Sequence, residues 1–155
     1  MKKWIYSGTR EEQPSETELM HGKLARKAAS EGIVLLKNEG ILPLKKDTAA
    51  ALLGYGAEKT VKGGIGSGDV NNRKNISIYQ GLKEAGVKIV SEDWISDYHN
   101  RYEQAREVWK EKVLEDAKKV DNPFDAYAEN PFAMPLGRKV AEEDICEADV
   151  VIYVI

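Results

Sequence analysis

At 155 residues, 42% apolar and 32% charged, the chain fits a single folded domain with enough apolar material for a core. Its net charge of −3 gives no nucleic-acid footprint, no run approaches the ~20 apolar residues of a membrane span, and one cysteine excludes an internal disulfide framework. The N-terminus turns polar at Ser7, too soon for a secretory leader, so the expected compartment is a reduced cytoplasm.

Residues 1–14 show no period and read as an N-terminal arm, with the folded region expected over 15–155. Ser15 and Glu18 have the spacing of a capping box. Leu19, Leu24, Ala25 and Ala28 then share one helical face, and Gly32 ends the helix. Residues 33–36 are β-prone, 37–40 a turn, and Leu42-Pro43 an extended step. A buried strand is expected over 48–53, then a glycine-rich loop over 54–72. Asn75 is placed to cap a helix over 76–85 that stops at Gly86, before a second strand over 87–90.

Trp94, Tyr98, Tyr102, Ala105, Trp109, Val113, Ala117 and Val120 recur at spacings of three and four, the stripe of a long amphipathic helix. Those aromatics read as core, and the charges between them, from Glu103 to Glu111, as a solvated face with pairs one turn apart. Residues 122–137 hold Pro123, Pro131 and Pro135 and predict an ordered excursion or lid without helix. A short helix is expected over 139–147, with Cys146 as a small core residue, and a buried strand over 149–155. Strand, helix, strand, helix, strand predicts a parallel sheet in spatial order 2-1-3.

The loop after the first strand stands where open α/β sheets place ligands. It lacks the Gly-Lys-Ser/Thr of a phosphate loop. Gly54-Tyr-Gly56 opens like a dinucleotide fingerprint, but Lys59 occupies the third-glycine position and no helix follows directly. A plain connector and a ligand-contacting loop remain. Ser67, between Gly66 and Gly68, is out of frame for a nucleophile elbow. His21 and His99 have no partners at metal-ligand spacing, and nothing calls for a cofactor.

Two segments carry a resemblance. LARKAASEGIVLLKNEGILPL at 24–44 and GYGAEKTVKGGIGSGDVN at 54–71 together resemble the α/β sandwich domain of glycoside hydrolase family 3, the family of many β-glucosidases. The resemblance runs from about Leu19 to the last residue. It implies a three-layer α/β sandwich with a mainly parallel sheet, of which this chain holds the first half. Because that domain starts near Met1, it resembles the permuted branch in which the sandwich leads and a (β/α)8 catalytic barrel follows. The implied parent activity is hydrolysis of terminal β-D-glucosidic bonds. The implied substrate contacts are Lys62, Gly63, Gly64, Gly66, Ser67, Gly68 and Asp69, on a loop turned toward the barrel.

Glycoside hydrolysis normally needs two carboxyl groups flanking the scissile bond. No segment matches the family's nucleophile motif, and Glu31, Glu39, Glu58 and Asp69 match no acid/base motif, so no residue is assigned as catalytic and the isolated chain is expected to be inactive. The alternatives are a non-catalytic sugar- or partner-binding module and a nucleotide-binding α/β protein. An unpaired edge at the third strand predicts a homo-oligomer.

Overall fold

The computed structural model describes residues 12–63 and 75–155. Two units are distinguished, one ending at Pro43 and one spanning Leu44–Ile155. The first holds helix α1 (Glu16–Gly32). Its start follows from the sequence: Ser15 Oγ accepts from the Glu18 amide at 3.2 Å, and Glu18 Oε2 accepts from the Ser15 amide at 2.7 Å. No residue of α1 is buried, and Leu19 and Leu24 of the expected apolar face are exposed. Residues 33–36 form no strand and are exposed; among the described residues no second strand pairs with them. The Leu42-Pro43 bond is cis.

The second unit is built on strands β1 (Ala49–Leu53), β2 (Lys88–Ile89) and β3 (Val150–Tyr153), all parallel, in the expected order β2-β1-β3. Helices α2 (Ile78–Glu84), α3 (Glu92–Ala117) and α4 (Pro123–Glu129) complete it. β1 is central and buried at every residue, which explains a run without polar alternation, AAALL. Ala50, Leu52, Leu53, Ala57, Ile89, Trp94, Ile95 and Tyr98 form the core.

β2 is too short to serve all of β1. The pairing ends at Ala50↔Ile89, with Val90 N donating to Ala50 O. Ser91 takes over: its buried hydroxyl donates to Leu52 O and accepts from Leu52 N, both at 2.8 Å. One side chain thus replaces a missing strand residue and satisfies two buried backbone groups.

Four expectations change. Ser77, not Asn75, caps α2, its hydroxyl accepting from the Gln80 amide at 3.1 Å, because Gln80 three residues on can return the bond, whereas Ile78 stands three residues on from Asn75. The proline-rich segment contains α4: Pro123 stands at its first turn, where the missing N–H costs nothing, and Asn122 caps the Phe124 amide at 3.2 Å. The helix expected over 139–147 shrinks to a 3-10 turn at Glu142–Asp144, and Cys146 is exposed. β3 is not buried throughout; Val151 and Tyr153 face outward, since only β1 pairs with it among the described residues.

The long stripe of α3 divides its work. Trp94, Ile95 and Tyr98 enter the core, with the Trp94 and Tyr98 rings stacked at 5.7 Å. Beyond Tyr98 the helix leaves the sheet, and 122–137 covers it instead. Phe132 meets Tyr102 at 5.5 Å and Trp109 at 5.6 Å, and Trp109 Nε1 donates to Asn130 O at 2.6 Å. A second anchor is the Arg138–Asp144 pair, two bonds of 2.7 and 2.6 Å with the aspartate nearly fully buried.

Candidate functional site

The site begins where β1 ends. Gly54 turns the chain at φ +95°, a conformation that side chains rarely adopt, and the Ala57 amide donates back to Gly54 O at 3.1 Å. Thr60 then ties this turn to α2. Its hydroxyl donates to Gly56 O at 2.6 Å and accepts from the Ile78 amide at 3.0 Å, while the Tyr79 amide donates to Ala57 O at 2.9 Å. Residues 58–63, Asn75, Ile76, Ser77, Tyr79 and Gln80 line an open cavity of about 690 Å3, together with Tyr102 and Met134.

Lys62 and Gly63, two of the expected substrate contacts, line this cavity and are exposed. The other five, Gly64, Gly66, Ser67, Gly68 and Asp69, lie outside the described residues. The cavity wall also carries a charge cluster that the sequence did not reveal. Lys59 Nζ lies 2.8 Å from Glu103 Oε1 and 3.3 Å from Glu58 Oε2, and 4.6 Å from the centre of the Tyr102 ring. His99 Nδ1 is 3.1 Å from Glu58 Oε1 and 3.3 Å from Lys59 Nζ, so it can donate to the first or accept from the second, according to tautomer.

The electrostatics follow from these distances. Burial alone would lower the Lys59 pKa, but the Glu103 hydrogen bond and the Glu58 carboxylate outweigh it and hold the ammonium above its ordinary value. Glu103 is correspondingly lowered, chiefly by the bond from Lys59. Tyr98 is pushed up to about 12 by burial, with Tyr102 and Glu58 adding to it. Its hydroxyl is buried without a hydrogen-bond partner among the described residues, and the buried Glu58 Oε2 has the Lys59 ion pair in place of a hydrogen bond. The 2.8 Å bond from Lys59 favours the charged form of Glu103, and Glu58 lies in the same ion-pair cluster. No three metal-ligating side chains gather among the described residues, and no helix there is long and apolar enough to cross a membrane.

Comparison with known proteins agrees with this architecture. The model of the glycosyl hydrolase family 3 C-terminal domain matches residues 33–155. The chain belongs to that family. Thermostable beta-glucosidase B of Acetivibrio thermocellus is 36% identical over 109 residues, 68% of this chain and 14% of that protein. Beta-glucosidase A of Butyrivibrio fibrisolvens is 48% identical over 65 residues, 41% of this chain and 8% of its own. Among solved structures, beta-glucosidase 3B from Thermotoga neapolitana in complex with alpha-D-glucose superposes with a TM-score of 0.58 at 29% identity, over 91% of this chain and 18% of that one. The family 3 chain described here thus spans less than a fifth of the length of these relatives.

The cluster escaped the sequence because its members are 40 to 44 residues apart. Glu103 reads as one charge among many on a solvated helix face. Only a polar position at the third-glycine place, Lys59, marked the turn as unusual.

Proposed function

We propose that this family 3 chain is the sugar-facing sandwich domain of a β-glucosidase-type enzyme and supplies one wall of a substrate site completed by a (β/α)8 catalytic barrel. The observation that carries this is the cavity after β1, whose rim holds Lys62 and Gly63 and at which both ends of the glycine-rich segment emerge. Its lining suits a neutral sugar in residue type: the aromatic residues Tyr79 and Tyr102, the amide residues Asn75 and Gln80, and the hydroxyl residues Thr60 and Ser77. The names of the relatives and the glucose held by the Thermotoga structure support the substrate class. Gly64, Gly66, Ser67, Gly68 and Asp69 would act with Lys62 and Gly63, the glycines permitting close approach and the polar groups bonding sugar hydroxyls.

No carboxylate among the described residues is assigned to the pair that hydrolysis needs, so the proposal gives this chain the shaping of the site and the barrel the chemistry. A segment exchange tests this. Residues 33–155 are placed in the Acetivibrio enzyme in place of the matched segment, and turnover of a chromogenic β-glucoside is measured. The proposal predicts turnover by the exchanged enzyme and none by the isolated chain. A folded exchange product without activity that still binds glucose would favour the non-catalytic binding module.

A further inference from the structure

Two side chains of the 58–63 wall, Glu58 and Lys59, reach across to α3. Lys59 is the more committed of the two. Its side chain is 19% exposed, and its ammonium faces Glu103 at 2.8 Å, Glu58 at 3.3 Å and His99 at 3.3 Å, above the Tyr102 ring. One ammonium proton goes to Glu103, and the Glu58 carboxylate and His99 Nδ1 crowd the rest of the group at 3.3 Å. Little is left with which to bind a ligand, although the residue lines the cavity. Glu103, Tyr102 and His99 all belong to α3, whose first turns are locked into the core by Trp94, Ile95 and Tyr98.

We infer that Lys59 is a positioning residue: it clamps the 58–63 wall to α3 and so sets the width of the cavity between that wall and Tyr102. The inference rests on the proposed role of the cavity as a sugar site, but the clamp can be tested without sugar. The reporter is the Ile78 amide, which is held by Thr60 Oγ1 of the same wall. If the wall loosens, that bond opens more often while the amides of β1 do not.

Amide exchange of the full chain is compared for the native protein, Lys59→Met, Lys59→Arg and Glu103→Gln. Lys59→Met keeps the stem and removes the charge; Lys59→Arg restores a cation with a wider fork. Exchange at Ile78 should rise about tenfold in Lys59→Met, as for the loss of a charged hydrogen bond. It should rise less in Glu103→Gln, whose amide oxygen still accepts, and stay near native in Lys59→Arg. The Leu52 amide should be unchanged in all three. In parallel, saturation transfer to glucose should weaken with Lys59→Met and persist with Lys59→Arg. Unchanged exchange at Ile78, or an equal rise at Leu52, overturns the inference. If Ile78 responds as expected but the native chain shows no glucose signal, the clamp stands and the sugar assignment of the cavity falls.

Discussion

Gly54→Ala is a sharp test of how the site is mounted on the sheet. A Cβ on Gly54 would lie 2.0 Å from Val154 O and 2.9 Å from Val154 C and N, all backbone atoms. None can turn aside as a side chain would. The φ of +95° adds a cost of about 1–2 kcal/mol for a residue with a Cβ. Relieving the overlap requires the end of β3 to move, which opens the bond from Val154 N to Leu53 O, now 2.9 Å, at about 1 kcal/mol. The sum is about 2–3 kcal/mol, or a melting temperature lower by roughly 6–20 °C in a unit of this size. Gly86→Ala is the control, because Gly86 has φ +84° but nothing within 4 Å of its added Cβ. It should cost only about 1–2 kcal/mol, the backbone part alone. Urea unfolding of both variants separates the contributions. Equal losses would refute the argument that Val154 sits hard against the turn.

Three further outcomes are expected. Ser91→Ala leaves Leu52 N and O without their partner inside the core and should cost about 2 kcal/mol in urea unfolding, with a native-like circular dichroism spectrum. Asp144 is held below the ordinary carboxylate pKa, first by its bond from Arg138. A depressed pKa contributes stability above the unfolded-state value and loses it as pH falls through the folded one. Acid unfolding below about pH 4 should therefore be shallower in Asp144→Asn than in the native chain, when stability is followed against pH. β3 has a pairing partner on one side only among the described residues, with Val151 and Tyr153 exposed, so sedimentation should show self-association that Val151→Lys suppresses.

Much of this fold could be read from local signals. The Ser15–Glu18 box, the unbroken apolar run of β1 and the three-and-four spacing from Trp94 onward each depend on neighbours in sequence, and each was seen where expected. The sheet order followed from the alternation of strands and helices. What escaped depends on distant partners. Cys146 looked like core by type, yet it is exposed. Three prolines argued against helix in 122–137, but Pro123 falls at the one position where proline favours helix, and Trp109 and Tyr127 hold α4 in place. At the cavity, Lys62 and Gly63, expected as contacts from the glycine-rich segment, are among the lining residues, whereas the Lys59 cluster needed α3 to fold back over the turn.

The most direct test of the central claim is a titration of the isotopically labelled chain with glucose, followed by amide chemical shifts. The account predicts shifts concentrated at residues 58–63 and 75–80 and at Tyr102, saturating at millimolar sugar and weakened by Lys62→Ala, with α4 and β3 silent. Shifts centred on the Trp109–Phe132 face of α3 and α4, or none at 58–63 and 75–80 at saturating sugar, would contradict it.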